Sequence, residues 1–300
     1  MIYIGVGATE PQRIPFEVLK FSIDKNTDLH QSEYCVLNLG DLTFDKKIFP
    51  SEEVFNSFVI KVGQQRTPFS FQRFLFALYF AKQASQNDLF LYLDSDMLVL
   101  SDIQSLDLEL SSDHPIKTAS TEPSWGRRAQ NSVCLFNNIG IKSISSDFCR
   151  FLLGELKYED VFYKKYDNSF LSSDWNSLEH MNITTNLIHY TDMDSQPWLR
   201  GGNANSGIWY HYLKSWANVS GDNQALLFKQ CEGKVLRPGL KEIVKSDVNW
   251  PSESAIAMFR DFFYVPPHRL PGIRKLLPNL LVALIYRFKM VRRNNRPNSV

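Results

Sequence analysis

Short apolar segments separated by polar loops recur along the first half of the chain, and they predict strands that alternate with helices. Apolar runs of strand length occupy residues 2–6, 34–39, 88–93, 116–120 and 132–137. Between them, residues 15–24 and 68–83 have the longer apolar pattern of helices, and the second is apolar on nearly every side, which indicates burial. This alternation predicts an α/β fold with a largely parallel sheet flanked by helices.

Two aspartates, Asp94 and Asp96, stand directly after the apolar run at 88–93. Side chains two positions apart on an extended segment point to one face, so both carboxylates can reach one ligand beyond the strand's carboxyl end. Open α/β sheets bind their ligands at that edge. An Asp-x-Asp pair can also be a turn followed by a helix cap. Because residues 89–93 and 97–100 are apolar and buried charge needs compensation, the pattern favours a bound divalent cation.

A second polar cluster follows a strand-like segment at residues 186–189, which ends in His189. The loop after it carries Asp192, Asp194 and Gln196. A single histidine is most often a satisfied core residue, but this one lies where a strand gives way to a loop, as the aspartate pair does. Two carboxylates and one imidazole leave positions open for phosphate oxygens, and such mixed ligands suit Mn²⁺ better than Mg²⁺.

Two further features near the start of the chain bear on ligand binding. Residues 2–24 have the order strand, glycine-containing loop and helix that is typical of nucleotide-binding folds. Gly5 and Gly7 lack the third glycine of a dinucleotide fingerprint, so a plain turn is at least as good an interpretation. Arg73 lies inside the apolar helix at 68–83 and needs a partner, either a structural carboxylate or an anionic ligand.

Composition narrows the class of protein. A chain of 300 residues with 44% hydrophobic content can bury a full core as one large domain or as a domain with an appendage. Its four cysteines show no paired spacing, which argues against a zinc ribbon or a disulfide framework and suits a reducing compartment. No signal-like start and no apolar segment of membrane-spanning length is visible, so we expect a cytoplasmic protein. No Ser-His-Asp or Cys-His arrangement supports acyl chemistry.

The carboxyl-terminal tail, residues 266–300, differs in charge from the rest. It holds eight basic and no acidic residues, which leaves −7 on residues 1–265 of a chain whose net charge is +1. Its seven apolar residues at 280–286 are too few to span a bilayer. We expect a helix there that lies on the anionic cytoplasmic face of a membrane, or else docks on the protein's own core. Nucleic acid is disfavoured because the acidic body would repel it.

Five segments occur in the order expected of a family 8-like glycosyltransferase with the GT-A fold, and the chain resembles that family over most of residues 1–210. The segments are IYIGVG, TPFSFQRFLFALYF, the strand that ends in Asp94-Ser95-Asp96, NSVCLFNN and HYTDMDSQPW. The resemblance implies a Rossmann-like, mostly parallel sheet in one domain at about 1–265, followed by the helical basic tail. It also implies a metal-dependent hexosyltransferase that uses a UDP-sugar, retains anomeric configuration and has a saccharide or glycolipid acceptor.

The resemblance also implies roles for individual residues. The ligands of Mn²⁺, or of Mg²⁺, would be Asp94, Asp96 and His189. The donor nucleotide sugar would be bound by Gly7, Ala8, Thr9, Glu10, Arg73, Ser95 and Gln196. The catalytic groups would be Asp174 near the reacting carbon, Asp192 and Arg73. Carboxylates there can stabilise positive charge on the sugar ring, as paired carboxylates do in glycoside hydrolysis.

The chain departs from the family pattern at two places. Gln196 replaces a lysine that binds phosphate, so the diphosphate contact must come from the metal, Arg73, Arg200 or backbone amides. Trp175 occupies a place where some members have a glutamine. Two other functions stay open on the sequence alone: a metal-dependent sugar nucleotidyltransferase, and an inactive relative that binds carbohydrate.

Overall fold

The computed structural model describes residues 1–30, 33–39, 48–64, 71–82, 85–106, 110–119, 132–157, 160–161, 170–246, 254–267 and 269. The chain divides into two compact units, residues 1–189 and residues 190–300, and each is described here by itself. The predicted boundary between residues 265 and 266 lies near the end of the described residues, and the apolar run at 280–286 lies outside them. The predicted tail therefore stays a prediction.

The described part of the first unit contains nine strands. They are β1 (Ile2–Gly7), β2 (Tyr34–Asn38), β3 (Leu89–Asp94), β4 (Met97–Val99), β5 (Ile116–Ala119), β6 (Val133–Phe136), β7 (Phe170–Leu171), β8 (Ser177–Leu178) and β9 (Leu187–His189). Six of them form one sheet in the order β2-β1-β3-β6-β5-β7, and the other three form a small sheet in the order β4-β9-β8. The five strands predicted from apolar runs are all confirmed.

The large sheet is mostly parallel, as predicted. Strand β1 pairs in parallel with β2 and β3, and β5 pairs in parallel with β7. Strand β6 is the exception, because it runs antiparallel to both β3 and β5. An apolar run has the same composition in either direction, so its pairing partners alone decide the direction of the strand.

Four helices accompany these strands in the described part of the first unit: α1 (Arg13–Asn26), α2 (Glu52–Gln64), α3 (Gln72–Ala81) and α4 (Asn138–Leu152). The helix predicted at 15–24 is α1, and the described part of the one predicted at 68–83 is α3. Strand β3 is buried on both faces, as expected: Phe90 and Tyr92 pack with α3 and α4, whereas Leu91 and Leu93 pack with α1. Each fully buried side chain of this size contributes about 1.5–3 kcal/mol to folding.

The described part of the second unit is helical. It contains α5 (Ser206–Ala217), α6 (Gly221–Glu232), α7 (Leu240–Lys245) and α8 (Ala255–Arg260). Arg237 is buried in this unit, and its guanidinium donates to the carbonyl of Pro197 at 2.7 Å, to Asp261 at 2.5 Å and to the hydroxyl of Tyr210. A buried guanidinium has to satisfy its donors, and this one joins three separated segments. Among the described residues, no helix is both long enough and apolar enough to cross a membrane.

Gly5 lies where α3 crosses the large sheet. A Cβ atom at this position would come within 2.7 Å of the ring of Phe76, which is fully buried. The first glycine of the weak fingerprint therefore has a packing reason, because it lets the helix approach the centre of β1.

We expect Gly5→Ala to lower the free energy of unfolding by about 1–3 kcal/mol, the usual cost of overpacking a core. Urea denaturation would measure the loss. Gly207→Ala in α5 is the control, since a Cβ there meets nothing within 4 Å. It should leave stability unchanged or raise it slightly through helix propensity. Equal stability of Gly5→Ala and the wild type would refute the close approach.

Candidate metal centre

The small sheet places the three predicted metal ligands at one point. Strand β3 ends at Asp94, a two-residue turn holds Ser95 and Asp96, and β4 starts at Met97. Strand β4 pairs antiparallel with β9, with Met97 opposite His189. Two strands that are far apart in the chain thus bring the imidazole against the turn that carries the carboxylates.

The distances fit a site for one cation. The Nε2 atom of His189 lies 3.1 Å from Oδ1 of Asp96 and 4.0 Å from Oδ2 of Asp94. One candidate ligand atom from each residue lies within 4.8 Å of the other two. The His189 side chain is 3% exposed, whereas the Asp94 and Asp96 side chains are 25% and 26% exposed. The cluster is therefore closed on the imidazole side and open to solvent on the carboxylate side, where a ligand can reach it.

The carboxylates control the charge of His189. Burial by itself would lower the pKa of this imidazole, but the neighbouring charge and hydrogen bond of Asp96, with help from Asp94, raise it above the ordinary value of 6.5. On the other side of the ring, Nδ1 lies 3.0 Å from Oδ1 of Asn176. Both ring nitrogens therefore have partners, and the ring is held from both sides.

Asp94 has a second set of partners. The hydroxyl of Tyr92 donates to its Oδ1 at 2.8 Å, and a guanidinium nitrogen of Arg73 lies 3.7 Å from the same atom. The guanidinium also lies over the ring of Tyr92, 5.2 Å from its centroid. Arg73 was expected to pair either with a carboxylate or with an anionic ligand, and the structure shows the carboxylate of Asp94. Because Asp94 is also a candidate metal ligand, the positive charge of Arg73 lies next to the candidate metal centre.

The loop predicted to hold the nucleoside lies at the same edge of the sheet. In the parallel pairing of β1 with β3, Gly7 is opposite Asp94, so residues 8–10 leave the sheet beside the aspartate turn. Ala8 is buried, and both the backbone N–H and the hydroxyl of Thr9 donate to the side chain of Gln12. Glu10 is exposed at the start of a 3-10 helix. The contact with a nucleoside stays a prediction.

Asp174 lies in the 3-10 helix Ser173–Asn176, just before β8. Its carboxylate accepts hydrogen bonds from the hydroxyl of Thr184 at 2.7 Å and from that of Ser172 at 3.1 Å. Its carbonyl accepts from the N–H of Asn186 at 2.9 Å, next to the start of β9. These contacts organise the loops on both sides of β8, and a contact with the donor sugar stays a prediction.

Two predicted donor-site residues make mainly structural contacts. Ser95 is buried within the aspartate turn. Gln196 belongs to the second unit, is buried, and donates to the carbonyl of Tyr190 at 2.9 Å. Asp192, also in the second unit, accepts from the N–H of Asp194 at 3.0 Å and so caps its own turn. The roles of these residues toward a donor stay predictions.

Comparison with known proteins identifies the type of fold. No protein-family model and no curated protein matches the chain in sequence. The bifunctional glycosyltransferase WbbM, in its apo form, is 12% identical with a TM-score of 0.51, over 75% of this chain and 51% of that chain. The galactosyltransferase LgtC, in complex with donor and acceptor sugar analogues, is 14% identical with a TM-score of 0.46, over 75% of this chain and 99% of that chain. GlyE of Streptococcus pneumoniae, in its apo form, is 16% identical with a TM-score of 0.47, over 78% of this chain and 64% of that chain.

The proteins in these three structures are glycosyltransferases. At such identities a likeness shows the fold alone, and the likeness to WbbM confirms the GT-A type α/β fold that the resemblance implied. The chain spans about half the length of WbbM. The chain therefore combines a GT-A type α/β fold with a candidate metal centre formed by Asp94, Asp96 and His189.

Sequence reasoning missed two residues that contact the candidate ligands. On the sequence alone, Tyr92 is only one of the five apolar residues of the buried strand, and Asn176 has no assigned role. Strand periodicity does carry a signal for Tyr92, because residues 92 and 94 lie two positions apart and point to the same face. No comparable signal exists for Asn176, whose partner lies thirteen residues away.

We expect Asp96→Asn to lower the pKa of His189 in the metal-free protein, since it removes the nearest carboxylate charge and leaves the effect of burial. Because the folded pKa is raised, protonation of His189 stabilises the wild-type fold below pH 6.5, and this stabilisation is lost as the pH rises through the raised value. NMR titration of the His189 ring in the presence of EDTA measures the pKa. Denaturation below pH 6.5 and above the raised pKa measures how much stability the protonated ring contributes. Asp113→Asn, an exposed carboxylate before β5, is the control. A pKa equal to that of the wild type in Asp96→Asn would contradict this account.

Proposed function

We propose that the chain is a divalent-metal-dependent glycosyltransferase. It moves a hexose from a UDP-sugar to a saccharide or glycolipid acceptor and retains the anomeric configuration. The observation that carries the proposal is the cluster of Asp94, Asp96 and His189 at the carboxyl ends of β1 and β3, in an α/β fold of glycosyltransferase type. Carboxyl ends of strands are the usual ligand edge of such sheets.

The donor atoms of the cluster suit the proposed metal. Two carboxylates supply hard oxygen ligands, and an imidazole nitrogen adds the borderline ligand that Mn²⁺ accepts more readily than Mg²⁺ does. When bound, the cation would act as a Lewis acid toward the charge that develops on the departing diphosphate. Asp94, Asp96 and His189 would hold it, and the exposed side of the carboxylates would face the donor.

Other charges near the cluster support the same assignment. Arg73, already beside Asp94, can supply positive charge toward the diphosphate, which compensates in part for the lysine that Gln196 replaces. The loop of residues 7–10 starts at the position opposite Asp94, which supports the proposal that it binds the nucleoside. Asp174, in the first unit, supplies a carboxylate for positive charge on the sugar ring.

A thermal-shift panel of nucleotides and nucleotide sugars, with and without Mn²⁺, tests the proposal. We expect UDP-sugars to stabilise the full chain only when Mn²⁺ is present. Asp96→Ala should remove the Mn²⁺-dependent shift, because loss of a direct ligand should cost at least the 10–100-fold in metal affinity that is typical of losing a second-shell partner. Asp113→Ala should keep the shift. An equal Mn²⁺-dependent thermal shift in the wild type and in Asp96→Ala would refute the proposed metal centre.

The same panel separates the other two functions. A sugar nucleotidyltransferase would be stabilised by a nucleoside triphosphate and a sugar phosphate, and it would release pyrophosphate when given both. An inactive relative would bind carbohydrate, but it would not hydrolyse the donor in the absence of an acceptor. Slow donor hydrolysis that requires Mn²⁺, together with indifference to triphosphates, is the outcome expected of a glycosyltransferase.

We also propose that the second unit contacts an anionic membrane surface, which would suit a glycolipid acceptor. Three phenylalanines in and just after α8 support this proposal: Phe259, Phe262 and Phe263 are 74%, 46% and 54% exposed. They precede the tail at 266–300, which carries eight basic and no acidic residues. Exposed aromatic side chains beside basic residues are typical of interfacial binding, and each basic residue near anionic lipid contributes about 1 kcal/mol.

Sedimentation with vesicles tests this surface. The chain should bind phosphatidylcholine vesicles that contain phosphatidylglycerol more tightly than pure phosphatidylcholine, and salt should weaken binding. The triple variant Phe259→Ser, Phe262→Ser, Phe263→Ser should bind at least about tenfold more weakly, because burying one phenylalanine contributes about 1.5–3 kcal/mol. Ile183→Ser, in the first unit and fully exposed, is the matched control. Equal binding by the triple variant and the control would exclude the phenylalanines as the contact.

A further inference from the structure

A buried asparagine lies directly behind His189, on the side of the ring away from the carboxylates. Asn176 is the last residue of the 3-10 helix Ser173–Asn176 and is completely buried. The next residue, Ser177, begins β8 and pairs in parallel with Ile188 of β9. Backbone pairing thus holds Asn176 beside the strand that carries the imidazole.

The hydrogen bond between these side chains determines which ring nitrogen can bind a metal. Oδ1 of Asn176 lies 3.0 Å from Nδ1 of His189, and an amide oxygen can only accept. When a cation takes the lone pair of Nε2, the one remaining proton of the imidazole lies on Nδ1, where Asn176 accepts it. Nε2 is the nitrogen that faces Asp96 at 3.1 Å. The reverse tautomer would direct an N–H group at the carboxylates and could not ligate a cation.

Asn176 would destabilise the fold, relative to an apolar residue, if packing were its only role. Its Nδ2 atom is buried and has no hydrogen-bond partner among the residues that the structure describes. A buried amide with one satisfied end destabilises a fold relative to an apolar side chain of similar size. The end that is satisfied is the one on the imidazole, which indicates that the interaction with His189 is the role of this side chain.

We propose that Asn176 is a positioning residue that holds His189 in the Nδ1–H tautomer and presents Nε2 to the cation. This inference rests on the proposed metal centre and extends it to a group that does not touch the metal. Partners behind a ligating histidine commonly fix its tautomer and orientation in this way.

Two substitutions in the full chain separate positioning from packing. Asn176→Leu removes the acceptor, whereas Asn176→Asp keeps one at the same distance along the side chain. We expect Asn176→Leu to bind Mn²⁺ about 10–100-fold more weakly, as measured by electron paramagnetic resonance of the free ion, and Asn176→Asp to bind close to wild type. Ser177→Ala is the matched control, because Ser177 follows Asn176 in the chain but its hydroxyl donates to the carbonyl of His180 at 2.5 Å and not to His189. It should bind Mn²⁺ as the wild type does.

A second readout needs no metal. Proton–nitrogen NMR of the His189 ring, in EDTA and at a pH where both ring nitrogens are protonated, should find a hydrogen-bonded, downfield Nδ1–H in the wild type and in Asn176→Asp, and an upfield shift of this proton in Asn176→Leu. The same Nδ1–H shift in the wild type and Asn176→Leu, or wild-type Mn²⁺ affinity in Asn176→Leu, would overturn the inference. Failure of the wild type to bind Mn²⁺ would instead overturn the proposed function, and the NMR result would still decide whether Asn176 accepts from Nδ1–H.

Discussion

The candidate centre depends on the register between β4 and β9. With Met97 opposite His189, the imidazole faces the turn that holds Asp96, and a slip of one residue would turn it to the opposite face of the strand. The apolar side chains of both strands are fully buried, which penalises such a slip. Helix α1 holds the other edge of β4: Ser22 accepts from the N–H of Val99 at 3.1 Å, and Asn26 donates to its carbonyl at 2.8 Å.

Packing far from the site therefore supports its geometry. Helix α1 fixes β4, β4 fixes β9, and the parallel pairing of β1 with β3 places the loop of residues 7–10 beside Asp94. The close approach of α3 at Gly5 lets Arg73 extend from the same helix to the aspartate. A binding site at the ends of strands is only as accurate as these helix and strand contacts.

The charges around the centre are balanced in two alternative ways. Without a cation, the imidazole, whose pKa is raised by the carboxylates of Asp96 and Asp94, and the guanidinium of Arg73 supply the positive charge. A divalent cation would compete with the proton for Nε2 of His189, so that metal binding releases a proton. Burial of Tyr92 and the neighbouring Asp94 charge raise the pKa of its hydroxyl well above 10.0, which keeps that hydroxyl a hydrogen-bond donor to Asp94.

The amino-acid sequence by itself determined five of the six strands of the large sheet, helices α1 and α3, and the identity of the three candidate ligands. Apolar runs and the Asp94-Ser95-Asp96 doublet are local patterns, and local patterns follow from backbone geometry. Tertiary structure alone decided the antiparallel direction of β6, the packing reason for Gly5, the burial of Arg237 and the contact of Asn176 with His189. Each of these depends on which distant segment lies opposite, and pairing between distant segments is set by the packing of the whole core, which no local pattern records.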